Sequence, residues 1–576
     1  MQVKVRQRSI TANSDTLPAS LHPVLRRVLL ARGIGDEKAL DLKLGRLQPP
    51  GTLSGIDRAA EILANAVISG DRILIVGDFD ADGATGTAVA IRGLRAMGAD
   101  NVGFRVPDRF EFGYGLSEAL VDTFADNPPD VLVTVDSGIS SIDGVKRAAN
   151  LGCKVLVTDH HLPGDTLPEA DAIVNPNCHG DGFPSKSLAG VGVVFYLLSM
   201  VRQVLRERGW FDTGNTEPNL ANLLDLVALG TVADLVGLDE NNRILVRQGI
   251  ERIRSGHCSI GLLALLRLGK RDYRHLVASD LAFAVAPRLN AAGRLEDMSV
   301  GIRCLLTDDR EEAMALATEL DTLNHERKAR QSSMQSEAFE MIGKLLAGLQ
   351  GEELPVAVCL FDPGWHQGIV GLVASRIKDA VHRPVIAFAP ETDGSGVLKG
   401  SARSVEGLHI RDVLARVDAL HPRMITAFGG HAMAAGLTLD KGRLEAFERA
   451  FEEAVSFFMQ DETFKNEILT DGELTAADIN LVFAEQLRAL EPWGQHFPEP
   501  LFEGRFIIEE HRVVGDAHLK MRLRPLDGHD SIDAIAFRCL PEDLPGGASV
   551  QVVYKLDVNH FRGRKTCQLV IEKILD

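Results

Sequence analysis

The sequence predicts a multidomain α/β protein: a parallel-sheet domain with a helical second half, a long connecting helix, a smaller α/β domain and a C-terminal β-barrel. Three observations predict it. The 576 residues exceed what one hydrophobic core organises. Short aliphatic runs alternate with helical segments twice, at 72–175 and at 354–458. From about 470 onward the chain alternates as strands between Gly and Pro turns.

In the first block the runs RILIVGD, NVGFRVP, DVLVTVD, KVLVTDHH and AIVNP read as parallel strands whose carboxyl ends gather on one edge, where ligands bind in such sheets. From 188 to 307 helical spacing takes over, in SLAGVGVVFYLLSMVRQVL and NLLDLVALGTVADLV. Residues 309 to 349 place Leu316, Leu320, Leu323, Met334 and Met341 at mostly helical intervals with no proline, which predicts the connecting helix. The second α/β block has strands in PVAVCLFD and PVIAFAP, and helices in GIVGLVASRIKDAV, at 408–419 and at 442–458. Strands in LFEGRFIIEEHRVVGDAHLKMRLRPL, SIDAIAFRCL and SVQVVYKLDVNHFRGRKTCQLVIEKI predict a small barrel of the oligonucleotide-binding (OB) type.

Apolar residues at 45% and charged residues at 25% are ordinary globular values. The first twenty residues lack the apolar core of a signal peptide and no aliphatic run is of spanning length, so a cytoplasmic protein without a membrane partner is expected. Seven scattered cysteines without a C-x-x-C pair read as thiols in a reducing compartment. The net charge of −18 argues against a nucleic-acid partner for the chain as a whole. Residues 243–275 run the other way, with eight Lys/Arg against Glu251 and Asp272, and suit either solvated helix faces or a track for phosphates.

The chemistry concentrates at three strand ends. Asp78-Phe79-Asp80-Ala81-Asp82-Gly83 follows RILIVG, Asp136-Ser137-Gly138 follows VLVTV, and Asp159-His160-His161 follows KVLVT. One strand-end Asp is more often a helix cap or turn residue than a ligand. Three on one edge repel one another and call for cations. A calcium loop of the EF-hand kind fails because an apolar strand precedes the acids and Val89 stands where the bidentate Glu belongs. Asp234, in LVALGTVADLVGL, reads on its own as a loop residue after a helix.

The order DFDADG, VDSG, TDHH, GTVAD resembles the DHH phosphoesterase superfamily. PRLNAAGRL (287–295), WHQGIVGLVASR (365–376), GSARS (400–404), GGHAMAAG (429–436) and WGQHFPEP (493–500) resemble its bacterial exonucleases specific for single-stranded DNA, over essentially the whole chain. The resemblance implies an N-terminal segment at 1–50, a DHH catalytic domain at 51–308, the connecting helix at 309–350, a DHHA1-type substrate-binding domain at 351–460 and an OB-like single-strand-binding domain at 461–576. It also implies two divalent ions, Mn²⁺ or Mg²⁺, bridged by Asp136. Asp82, His160 and Asp234 would complete one site and Asp78 and Asp80 contribute to the other. Asp159 would orient His160 from behind, and His161 would face the substrate phosphate. The implied catalytic set is Asp80, Asp82, Asp136, His160, His161 and Asp234. Hard oxygen ligands with imidazole suit these ions.

For the DNA the resemblance implies Arg288, Asn290 and Arg294 along its route, with Arg376, Ser401, Arg403 and His431 as the phosphate grip of the second α/β domain. Helix capping and solvated charge are the plain alternative for the first three, and a tight turn beside a buried His for the last group. On the barrel, Lys520, Arg522, Lys555, Arg562 and Arg564, interleaved with Tyr554 and Phe561, have the composition of a single-strand groove, and equally of a charged barrel face. Ser137 replaces a more usual Asn and Ala402 a frequent Gly, and neither change removes a ligand or a charge.

The implied function is processive 5′-to-3′ digestion of single-stranded DNA to mononucleotides in recombination and repair, by a monomer with single-strand-binding protein and a helicase as partners. A phosphoesterase of short oligonucleotides, cyclic dinucleotides or pyrophosphate is the alternative within the superfamily. Those relatives are short and lack a terminal barrel. A non-catalytic scaffold is the third reading, and it predicts eroded ligands where all six stand intact.

Overall fold

The computed structural model describes residues 4–109, 111–348, 355–391, 396–459, 467–515, 518–561 and 563–575. Two compact units emerge, one of Val5–Asp321 with Ile468–Asp576 and one chiefly of Thr322–Glu467.

In the larger unit β1 (Ile73–Gly77), β2 (Val102–Arg105), β3 (Val131–Val135), β4 (Lys154–Thr158) and β5 (Ala172–Val174) form a wholly parallel sheet of order β2-β1-β3-β4-β5. The aliphatic runs of β1 and β3 are buried throughout, as strands covered on both faces must be. Register then places the site. Gly77 pairs with Val135 and Val135 with Thr158, so Asp78, Asp136 and Asp159 leave three adjacent strands side by side. The order reverses between β1 and β3, the crevice where sheets of this kind bind ligands.

Helices α1 (Ala81–Ala96), α2 (Gly190–Glu207), α3 (Leu224–Ala233), α4 (Glu240–Arg254) and α5 (Ala286–Leu295) follow, giving the helical second half that the spacing predicts. Directly ahead of α5, Leu281–Val285 forms a π-helical turn. The connecting helix α6 (Arg310–Gly348) is continuous, and the boundary between the two units falls inside it.

In the smaller unit β6 (Val358–Phe361), β7 (Val385–Pro390), β8 (Val397–Arg403), β9 (Ile425–Gly430) and β10 (Ala434–Asp440) have the order β9-β10-β8-β7-β6. Only β6 and β7 pair in parallel. Helices α7 (Val370–Val381), α8 (Ile410–Leu420) and α9 (Leu444–Phe458) lie where the periodicity puts them. The β9–β10 hairpin was not legible, because GGHAMAAG offers small residues where strand patterns show β-branched ones.

After α10 (Leu481–Ala489), strands β11 (Phe502–Val514), β12 (His518–Pro525), β13 (Ile532–Phe537), β14 (Ser549–Phe561) and β15 (Arg564–Ile574) close into a barrel of order β11-β12-β13-β15-β14. One parallel pairing, β13 with β15, completes the closure. Its core of Phe502, Phe506, Leu519 and Leu523 also takes Phe483 and Leu487 from α10 and Val24, Leu25 and Val28 from the N-terminal segment. WGQHFPEP ties the barrel to the catalytic domain. Trp493 stacks on Phe497 at 5.1 Å, Arg243 lies over the Phe497 ring at 4.0 Å, and the Gln495 carbonyl accepts from Leu238 N–H at 2.8 Å. No described helix is long and apolar enough to cross a membrane.

Candidate metal centre

Asp78, Asp80 and Asp82 arrive on the turn from β1 into α1. Asp80 is the N-cap, accepting from Gly83 N–H at 2.9 Å, so the motif starts the helix and gathers acids at its positive end. The Asp82 carboxylate accepts from Gly190 N–H at 2.7 Å and Val191 N–H at 3.0 Å, at the N-terminus of α2. Asp136 adopts a left-handed φ of 60°, which turns its side chain into the cluster. Gly190 permits this, because a Cβ there would stand 2.7 Å from Asp136 Cβ. Asp234 is the C-cap of α3 and, contrary to the plain reading of its sequence context, faces the same cluster.

The groups converge. His160 Nε2 lies 3.0 Å from Asp136 Oδ1, 3.5 Å from Asp234 Oδ2 and 4.0 Å from Asp82 Oδ2. Three sets each bring one ligand atom per residue within 4.8 Å of the others: Asp82, His160 and Asp234; Asp78, Asp80 and Asp136; and Asp136, His160 and His161. Asp78 Oδ1 and Asp136 Oδ1 are buried without a hydrogen-bond donor among the described residues. Buried carboxylate oxygens without donors are costly unless a cation supplies the missing charge, so the donor set fits divalent ions. Burial first, then mutual repulsion, pushes the Asp78, Asp136 and Asp234 carboxyls well above their usual range. The same causes bring Asp82 up to about 7, against the pull of the two helix N–H groups.

Asp159 differs. Burial works against its charge, but donors outweigh it and hold its pKa below the usual value. Its Oδ1 accepts from His161 Nδ1 at 2.7 Å and from the backbone N–H of His160 and His161, and its Oδ2 from Ile139 N–H at 2.9 Å. The expectation that Asp159 orients His160 is therefore corrected in one respect: the ring it grips at 2.7 Å is that of His161. Burial lowers the His161 pKa, yet Asp159 reverses the shift and raises it.

Two contributors were missed, Arg109 and Tyr114, both in the loop after β2. The Tyr114 hydroxyl donates to the Asp136 carbonyl at 3.1 Å and lies 3.2 Å from His161 Nδ1. The Arg109 guanidinium sits 4.1 Å over the Phe79 ring, its pKa lowered by burial against the pull of Asp78 and Asp80. The signal was available, since NVGFRVP ends at the same sheet edge as the acids.

Asn290 accepts from Ala81 N–H at 2.8 Å and so braces the DFDADG turn, while Arg288 is buried, paired with Asp321 at 2.8 Å and donating to the Ala284 carbonyl. The plain reading of capping fits Asn290. Solvated charge does not fit Arg288. Arg294 is half-buried on the same helix.

In the smaller unit, Arg403 on β8 donates to Ser401 Oγ at 3.0 Å and the Ala402 carbonyl at 2.8 Å, and burial lowers its pKa. Among the described residues it has no carboxylate partner. Gly371 on α7 allows this packing, because a Cβ there would stand 2.7 Å from an Arg403 Nη. A guanidinium lacking a counter-charge near a helix N-terminus is suited to an anion. Arg376 and His431 are exposed on the same unit.

The barrel positions divide. Lys520 pairs with Asp533 at 3.0 Å, and Lys555 with Glu499 and Glu572 at 3.0 and 2.9 Å. Arg522 and Arg564 are exposed, and Arg562 lies outside the described residues. Tyr554 is wholly buried in the barrel core, so it cannot stack on a base, which corrects the expectation of an aromatic groove built on it. In the basic stretch, Arg243 is buried, and Arg247, Arg254, Arg271 and Arg274 pair with Glu251, Glu491, Asp280 and Asp272.

Residues 72–231 match the DHH family N-terminal domain, 353–458 the DHHA1 domain and 470–573 the RecJ OB domain. A parallel sheet with this acidic edge and the first of these matches defines a DHH-family protein. A single-stranded-DNA-specific exonuclease RecJ of Salmonella typhimurium is 52% identical over 578 residues, spanning 100% of this chain and 99% of that one. Crystal structures of RecJ from Thermus thermophilus are similar at 32% identity and a TM-score of 0.78 in complex with Mn²⁺, and at 31% and 0.72 with Mg²⁺. The matches cover 96% of this chain and 76% and 74% of those chains, respectively. The chain belongs to the RecJ family of single-stranded-DNA-specific exonucleases.

Proposed function

We propose that this protein is a metal-dependent exodeoxyribonuclease that hydrolyses single-stranded DNA from its 5′ end to mononucleotides, in recombination and repair. The observation that carries the reading is the pair of donorless buried oxygens, Asp78 Oδ1 and Asp136 Oδ1, at the centre of the acidic edge. Asp82, Asp136, His160 and Asp234 would hold one ion, Mn²⁺ or Mg²⁺, and Asp78, Asp80 and Asp136 the other. When bound, two such ions supply an activated water and neutralise the leaving oxygen of an in-line displacement.

The chain's own residues do the rest. Asp159 accepts a hydrogen bond from His161 Nδ1–H, which leaves Nε2 as the nitrogen for a phosphate oxygen, and the raised pKa favours a charged, donating ring. Tyr114 holds the Asp136 carbonyl and so steadies the residue whose carboxylate would serve both ions. Arg403 and Ser401, with Arg376 and His431, grip phosphate. Arg288, Asn290 and Arg294 support the strand's route, the first two by fixing the helix and the DFDADG turn. On the barrel Arg522 and Arg562 make the main DNA contacts, and Lys520 and Lys555, tied to Asp533, Glu499 and Glu572, add little to them.

The division at 1–50, 51–308, 309–350, 351–460 and 461–576 goes with this reading. So do a monomeric state, a cytoplasmic location, and single-strand-binding protein and a helicase as partners. The closed barrel supports a polymer over short oligonucleotides or cyclic dinucleotides. The test is digestion of 5′-labelled and 3′-labelled single strands with duplex as control, in Mn²⁺ and in Mg²⁺. Early release of 5′ label as mononucleotide is expected. Release from the 3′ end first would overturn the polarity, and cleavage of dinucleotides alone would overturn the substrate.

A further inference from the structure

The candidate metal centre draws its ligands from two kinds of backbone. Asp78, Asp136 and His160 stand at or just beyond strand ends, where sheet register fixes them. Asp234 has no such support: it caps α3, and the chain leaves that helix through Leu235, which holds a left-handed φ of 59°. A residue with a Cβ keeps that conformation only where its surroundings impose it.

The constraint comes from the start of α4. The run Asp239-Glu240-Asn241-Asn242-Arg243 takes no part in the chemistry described above, yet it is tied in several directions. Asp239 is the N-cap, accepting from Asn242 N–H at 2.9 Å and from Ser185 Oγ at 2.7 Å. Asn241 Oδ1 accepts from Gln48 N–H at 3.1 Å and from the Tyr196 hydroxyl at 2.8 Å. Asn242 is wholly buried, and its amide nitrogen donates to two carbonyls, Ser187 at 2.6 Å and Gly237 at 2.9 Å. Both carbonyls lead to metal ligands. Ser187 lies three residues before Gly190, whose N–H holds the Asp82 carboxylate, and Gly237 lies three residues after Asp234. Gly237 permits the approach, because a Cβ there would stand 2.9 Å from Ser187 Oγ and 2.8 Å from His496 Nδ1. Asn242 Oδ1 is buried without a donor among the described residues, so the amide is kept for the two bonds that it donates.

We propose that Asn242 is a positioning residue for one of the two ions: by joining the segment before α2 to the turn after α3, it sets the separation of the Asp82 and Asp234 carboxylates. The inference rests on the two-ion reading above. Asp82 and Asp234 share a candidate set with His160, whereas Asp78, Asp80 and Asp136 form the other set without a bond from Asn242. Loss of the bridge therefore acts on one site and spares its neighbour.

The test titrates the full chain with Mn²⁺ and follows the free ion by electron paramagnetic resonance. Two binding steps are expected in the wild type. In Asn242→Ala one step should weaken about tenfold and the other stay within about twofold, as for loss of a group that orients ligands from behind. Excess Mn²⁺ should restore cleavage, and strand affinity in EDTA should not change. Asn242→Ser keeps one donor, should fall between, and decides the matter if Asn242→Ala does not fold. Asn241→Ala breaks two bonds of the same kind beside it and is the control for stability. It should melt lower in EDTA, as Asn242→Ala does, but bind Mn²⁺ as the wild type does. Unchanged binding in a folded Asn242 variant, equal weakening of both steps, or as large a loss in Asn241→Ala would overturn the proposal. A wild type that binds fewer than two ions would remove the two-ion reading, and this inference with it, before any variant is compared.

Discussion

At the carboxyl edge of the parallel sheet, Asp78, Asp82, Asp136 and Asp234 are gathered with no Lys or Arg ion pair among the described residues, and burial with mutual repulsion drives their pKa values up. On the barrel several charges are resolved locally, with Lys520 on Asp533, Lys555 on Glu499 and Glu572, and Arg524 on Glu509. The contrast teaches where to look for function. Charge that the fold pairs is structure, whereas charge left buried and unmatched is kept for something that arrives from outside.

The sharpest way to break the contrast is at Asp136. Asp136→Asn should lower kcat/KM in Mn²⁺ by about 10³-fold or more, since Asp136 would serve both ions and stands in two of the three candidate ligand groups. In EDTA the same variant should melt a few degrees higher, roughly 1 kcal/mol, because it relieves repulsion that no ion then offsets. Calorimetry showing a lower melting temperature in EDTA would mean that the carboxylate is structural.

Next comes Arg403, a cation of the smaller unit with no carboxylate partner among the described residues. Arg403→Lys keeps the charge but loses the planar fork, and KM for single strands should rise roughly tenfold with kcat little changed. A loss confined to kcat would place Arg403 with the reacting atoms instead.

Proton release gives a third comparison. With Asp82 at about 7 and its neighbours also raised, the metal-free centre holds protons at pH 6 that ions must displace. Titration calorimetry in buffers of different ionisation enthalpy should show more protons released per Mn²⁺ at pH 6 than at pH 8, with affinity rising over that range. Equal release at both would contradict the raised values.

Glu491, buried at the barrel junction beside Arg254 at 3.1 Å, reaches about 7 because burial outweighs its arginine neighbours. A raised carboxyl contributes stability that is complete below its unfolded value near 4.5 and lost as pH rises through about 7. Glu491→Gln should therefore flatten the fall in melting temperature between pH 5 and pH 8, an effect on the order of 1–3 kcal/mol. The smallest effect belongs to a paired cation: Lys520→Ala should change strand affinity by less than about twofold.

Much of this was readable in advance, for identifiable reasons. Aliphatic runs ending in Asp78, Asp136 and Asp159 announced both the strands and the edge, because parallel topology aligns strand ends without help from side chains. Asp234 was not readable from its own context, since only tertiary packing turns the C-cap of α3 toward the cluster. The charged residues of 243–275 and of the barrel look alike in sequence whether solvated, paired or buried, and the structure holds all three kinds. Tyr554 fell into the core because strand alternation, not residue type, decides which face a residue takes.

The central claim is that the unmatched acids of the sheet edge hold two divalent ions. Anomalous diffraction from crystals of the protein soaked in Mn²⁺ tests it directly. Two peaks are expected, roughly 3.5–4 Å apart, one against Asp82, Asp136, His160 and Asp234 and one against Asp78, Asp80 and Asp136. A single peak, or peaks away from these residues, would contradict it.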